Sequence, residues 1–116
     1  MKSNAYIQHI LEAIQAIEQF TKDVIYEEFL KNKEKHSAVV RQFEIIGEAI
    51  NQLEKFLEEK NRSLKDVGVP FEAIIEMRNI LIHEYFAVDL ELVWDTIQKD
   101  LPDLKKQMKK LQKISY

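Results

Sequence analysis

The sequence has no cysteine, and only two glycines and two prolines in 116 residues. Without cysteine there are no disulfides, no thiolate chemistry and no Cys-based zinc site. So little Gly and Pro leaves scant material for the many tight turns of an all-β fold. The sequence holds no run of about 20 apolar residues, so no membrane span is predicted. Met1-Lys2-Ser3-Asn4 leads straight into an amphipathic pattern, without the apolar segment of a signal peptide. A cytosolic location is therefore expected. Positive charge is not in excess either. The formal net charge is −3, which argues against broad, sequence-independent nucleic-acid binding through many phosphate contacts.

What is present is helix-forming. Apolar residues make up 46% and charged residues 32% of the chain, a balance typical of globular proteins. Residues 1–116 are expected to form one domain, large enough for a single modest core. The charge is uneven, because residues 105–116 carry five Lys and no acid and leave −8 on residues 1–104. Such a run is ordinarily a solvated face at a helix C-terminus, where cations meet the negative end of the dipole. Phosphate binding is the alternative.

Ser3 or Asn4 can cap a first helix with the stripe Ile7, Ile10, Leu11, Ile14, Ile17, Phe20, Val24 and Ile25. It is expected to continue through Phe29 and Leu30 into the polar residues 31–35. Ser37 can cap a second helix with the stripe Val39, Phe43, Ile46, Ile50, Leu53 and Leu57. Gly47, inside that helix, is a sign of close approach by another backbone. Arg41, Glu44 and Glu48 lie largely off that stripe, and the plain reading is an exposed intrahelical ion-pair ladder. His9 and His36 stand outside any cluster of ligands and are read as solvent-facing or boundary residues.

Residues 60–69 break the pattern, and Pro70 suits the first turn of a third helix carrying Phe71, Ile74, Ile75, Arg78, Ile82 and Tyr85. Asp89 can cap a fourth, with the stripe Leu90, Trp94, Ile97, Leu101, Leu104, Met108 and Leu111. Its phase runs past Pro102, which predicts a kink or a restart in register there. The expected fold is all-α, a four- to five-helix bundle.

Residues 78–85, Arg-Asn-Ile-Leu-Ile-His-Glu-Tyr, concentrate the chemistry of the chain. At 100° per residue Tyr85 falls about 20° from Arg78, whereas His83 falls about 140° away. Arg78 and His83 can share one spot if the helix loosens near its end, or if a second copy meets the first across a two-fold axis. The dimer is the favoured solution. Imidazole beside guanidinium suits phosphodiester cleavage of RNA: His moves protons at the 2′-OH or the leaving oxygen, and Arg holds the phosphate. No compact His/Asp/Glu ligand arrangement stands out, and a metal-free reaction without a cofactor is expected. The plainer reading pairs Arg78 with a helix acid and leaves His83 and Tyr85 at a partly buried helix end.

Met77–Phe86, followed by Val88-Asp89 and Val93-Trp94, resembles the signature of the HepT toxins of the HEPN fold. The stretches 41–49 and 100–104 agree with the same pattern, and the resemblance spans about residues 5–112. One departure is Phe71, where many relatives carry Trp. The resemblance implies an all-helical homodimer with Arg-x-x-x-x-His motifs meeting between subunits, and ribonuclease activity without a metal. It also implies the role of toxin in a toxin–antitoxin pair. The partner would be an MntA-type nucleotidyltransferase antitoxin that transfers AMP to the Tyr of Arg-x-x-x-x-His-x-Tyr. Arg78 and His83 are then the expected catalytic pair and Tyr85 the expected modified residue. Asn79, Arg41, Glu44 and Glu48 become candidates for supporting the site. A competing expectation is a helical dimer that docks and completes a nucleotidyltransferase without cleaving RNA, since a −8 body repels RNA outside a local patch.

Overall fold

The structure, a computed structural model, describes residues 2–69, 71–83 and 89–113, and of residues 2, 3, 71 and 81–83 it describes the backbone. The elements are α1 (Lys2–Thr21), α2 (Tyr26–Lys31), α3 (Lys33–Glu59), α4 (Phe71–His83), α5 (Leu90–Asp95), a π-helical turn (Thr96–Asp100) and α6 (Leu101–Gln112). Among the described residues there is no strand, so the fold is all-α. The long helices α1 and α3 pack together, α4 lies on α3, α6 lies on α1, and the π turn touches α4.

The core joins the apolar faces of these helices. Ile7, Ile10, Ile14 and Ile17 of α1 meet Phe43, Ile46, Ile50, Leu53 and Leu57 of α3, with Leu101, Leu104, Met108 and Leu111 from α6. All of these are buried. Each such side chain contributes about 1.5–3 kcal/mol by leaving water. Gly47 is buried within α3.

α1 starts at Lys2, so Ser3 and Asn4 lie within it and do not cap it. Three further features differ from the sequence reading. The first helix stops at Thr21 instead of running on to Leu30. The Thr21 hydroxyl donates back to the Ile17 carbonyl at 2.8 Å, and Asp23 takes a left-handed φ of 59°, a conformation that a short polar side chain tolerates. The turn redirects the chain and leaves Ile25 56% exposed, so it does not belong to the buried stripe of α1. Phe29, on the separate helix α2, is fully buried and packs on Trp94 with ring centroids 5.2 Å apart. His36 meets the edge of the same Phe29 ring.

The cap of α3 is the second difference. Asn32 accepts a hydrogen bond from the Lys35 backbone N–H at 2.9 Å, while Ser37 sits inside the helix and is exposed. Asn32→Ala is expected to cost about 1 kcal/mol of unfolding free energy. Ser37→Ala should be near neutral, because Ala is the better helix former. Paired thermal melts check this, and equal losses for both variants would contradict the cap assignment.

Third, α4 buries Ala73, Ile74, Met77 and Ile80, leaving Ile75 39% exposed. Its inward face is rotated from the stripe read through Ile75, Arg78 and Ile82, which puts Arg78 at the edge of the interface. Near the C-terminus the phase continues through Pro102 as expected, by an unexpected device. In a regular α-helix the Pro102 ring would clash with the carbonyl four residues back. The preceding five residues are instead wound as a π turn, in which the Leu101 N–H donates to the Thr96 carbonyl. Pro102 then occupies the first turn of α6, where a missing N–H costs nothing.

Candidate functional site

Arg78 reaches across from α4 to α3. Its Nη2 donates to both carboxylate oxygens of Glu54, at 3.0 and 3.2 Å. The two side chains are 47% and 34% exposed, so the pair is worth at most about 1 kcal/mol. Its consequence is geometric: a long side chain is held in one orientation. Among the described residues, Nε and Nη1 of Arg78 have no hydrogen-bond partner. A guanidinium pinned by one nitrogen with two others open can still present a donor pair to a phosphate.

α4 is α-helical to His83, its last residue. The angular separation of about 140° between positions 78 and 83 therefore persists in the backbone, without the loosening that would bring them onto one face. Tyr85 lies outside the described residues, as does the side chain of His83. Asn79 is half-buried, and on the wheel of α4 its position falls about 40° from position 83. Glu76 falls about 20° from position 83. Its Oε2 is buried with no hydrogen-bond partner among the described residues. Where α4 meets the π turn, burial and then Asp103 push the Asp100 carboxyl above its ordinary value; Lys99 opposes this and Glu72 adds to it.

Arg41, Glu44 and Glu48 occupy another part of α3. Arg41 Nη1 contacts Glu44 Oε2 at 2.8 Å, and Glu48 accepts from Gln52 at 3.1 Å. With Ile45, Ala49 and Gln52 they line a groove of about 250 Å³ closed on the other side by Tyr6 and His9 of α1. Glu48 and Glu54 are six residues apart, so they project about 120° apart around α3. The structure thus brings Arg41, Glu44 and Glu48 together with one another and with α1, and brings Arg78 to Glu54.

Sequence reasoning singled out Arg78 and read His9 as solvent-facing, as it is, but gave no role to Glu54, Glu76 or Tyr6. Glu54 and Arg78 stand 24 residues apart on different helices, and no local periodicity links such positions. Tyr6 and His9 flank the apolar stripe of α1, and only the packing of α1 on α3 gives them neighbours with chemistry. Glu76 could have been noticed, since it precedes His83 by seven residues on one helical face.

A family model described as Ribonuclease HepT-like matches residues 10–111. A protein of Methanocaldococcus jannaschii named as a gamma-glutamylcyclotransferase and, provisionally, an RNase is 43% identical over 106 residues, covering 91% of this chain and 46% of that protein. The chain thus spans less than half the length of that relative. A second protein of the same organism, provisionally named an RNase, is 41% identical over 107 residues, 92% of this chain and 84% of its own length. The "Probable ribonuclease HepT" of Thermococcus cleftensis is 38% identical over 108 residues, 93% of this chain and 94% of its own length. No solved structure matches the chain.

Proposed function

The chain belongs to the HepT-like ribonuclease family, and from that premise we propose that Arg78 and His83 cleave RNA in a cleft between two copies of it. The observation that supports this reading is the Arg78 guanidinium, tethered among the described residues to Glu54 through Nη2. Arg78 binds the scissile phosphate and stabilises the charge that grows on its oxygens. His83 of the second copy takes the proton of the ribose 2′-OH, which attacks phosphorus, and the departing 5′-oxygen takes up a proton from water. The products are a 2′,3′-cyclic phosphate and a 5′-hydroxyl, with no metal required. DNA, which lacks the 2′-OH, is not cut.

In the cell the protein acts as the toxin of a toxin–antitoxin pair. An MntA-type nucleotidyltransferase silences it by transferring AMP from ATP to the Tyr85 hydroxyl, with pyrophosphate leaving. Seven residues make about two helical turns, so a helix continued to position 85 would set Tyr85 about 20° from Arg78. An attached nucleotide would lay its phosphate against the guanidinium and block the substrate.

The test uses protein confirmed unmodified by intact mass, labelled RNA and EDTA. Cleavage to cyclic-phosphate ends is expected. After treatment with the transferase and ATP, the mass should rise by one AMP and cleavage should cease. Tyr85→Phe should cleave and resist silencing. Cleavage that survives loss of Arg78 and His83 would sink the assignment of the pair, and a silenced Tyr85→Phe would sink the switch. The −8 on residues 1–104, which repels RNA outside a local patch, favours a second reading, a helical dimer that docks the transferase without cutting RNA. In that case Arg78→Ala would leave toxicity unchanged while the complex still forms.

A further inference from the structure

Helix α6 has two unlike faces. Leu101, Leu104, Met108 and Leu111 are buried against the core. Lys105, at the flank, is engaged by Glu18 of α1 at 2.9 and 3.0 Å. Lys106, Lys109, Lys110 and Lys113 are exposed, and among the described residues none of their ammonium groups has an ion-pair or hydrogen-bond partner. At 100° per residue the four lie within an arc of about 100°, and positions 106 to 113 span about 10 Å of helix axis.

A solvated helix end does not account for this face. Compensation of the helix dipole fades beyond the last turn, and Lys106 stands nearly two turns before the C-terminal end of α6 at Gln112. An exposed helix held in solution by its charges also interleaves acids with bases, as α3 does with Lys33-Glu34-Lys35 and Arg41-x-x-Glu44. From Leu104 to Lys113 there is no acid. The remainder of the chain, at −8, repels a polyanion, so an RNA that reaches Arg78 needs an attractive surface elsewhere.

We propose that the outer face of α6 is a docking surface for the phosphate backbone of single-stranded RNA, read by Lys106, Lys109, Lys110 and Lys113. RNA as the occupant rests on the ribonuclease reading above. The face sets four cations along that length, enough to neutralise up to four backbone phosphates. The contacts are to phosphate, so they add affinity and steering without choosing a sequence.

The experiment measures binding of a fluorescent 12-nucleotide RNA to an Arg78→Ala protein, from 50 to 200 mM salt. Four lysine–phosphate contacts predict a slope of log K against log salt of about −2.8, a weakening of about fifty-fold across that range. Replacing the four lysines by Gln should cut affinity at 50 mM salt at least about tenfold and flatten the slope by about 2.8. The all-Arg counterpart should keep both, and the single variant Lys106→Gln should lower the slope by about 0.7. Exposed positions leave folding intact, which circular dichroism verifies. Unchanged slope and affinity in the Gln variant overturn the surface, even where the wild-type protein cuts RNA. So does a Gln variant that binds RNA normally but no longer binds the transferase, which would assign the face to an acidic protein. If the wild-type protein does not cut RNA but binding still depends on the lysines, the surface stands and the catalytic reading falls.

Discussion

Arg78→Ala is expected to lower RNA cleavage by about a thousandfold, the usual cost of removing a charged group that stabilises a transition state. His83→Ala should cost about 10²–10⁴-fold, the range for a general acid or base. The more telling result comes from mixing the two variants. α4 stays α-helical through position 83, so one helix aims these residues about 140° apart. If each cleft draws Arg78 from one copy and His83 from the other, every mixed dimer holds one intact cleft and one lacking both groups. Random mixing makes half the population mixed dimers, so about a quarter of wild-type activity should return. If both residues act within one chain, every cleft in the mixture lacks one group and nothing is recovered. A cleavage assay on the variants, separately and after mixed refolding, separates the cases.

The second large effect is on stability. Phe43 is fully buried in the centre of α3, and Phe43→Ala should destabilise the protein by about 3–5 kcal/mol through lost transfer energy and the cavity left behind. That is a large share of the roughly 5–15 kcal/mol that separates folded from unfolded in small proteins. Ile75→Ala makes the control, because Ile75 is 39% exposed and should cost well under half as much. Urea melts of both variants supply the comparison, and similar losses would mean that Phe43 is not central to the core. Because α3 carries both Glu54 and the Arg41–Glu44 pair, the Phe43 variant should also bind RNA less well as its folded fraction falls.

The all-α class and most apolar stripes were legible, since helical periodicity is a local signal. The family match over residues 10–111 agrees with the resemblance carried by Met77–Phe86 and the stretch 41–49. Where local signals competed, the reading slipped. Asn32 and Ser37 are both good caps, and only the Asn32 contact to Lys35 decides between them. The break after Thr21 comes from a hydroxyl and a left-handed Asp23, in a stretch with no Gly or Pro to announce it. On α4, Ile74 and Ile75 are chemically equal, and packing against α3 buries only the first. The partner of Arg78 lies on another helix, where no periodicity within one segment reaches, whereas Arg41 pairs with Glu44 within α3, at the intrahelical spacing read from the sequence.

The π turn at Thr96–Asp100 also acts as an adjustment of angular phase. Each residue of a regular α-helix advances the side-chain direction by 100°. The wider turn changes how the face containing Val93 is joined to the face containing Leu104, Met108 and Leu111, all four of which are buried. The outward aim of the α6 lysines is therefore set upstream of them. Removing one residue from the turn would force either the α5 side or the α6 side to rotate by roughly 100°. If α6 gave way, Lys105 would leave Glu18 and the row of cations would swing along the bundle surface. The spacing within α6 keeps its lysines in line, and the turn before it sets the compass bearing of that line.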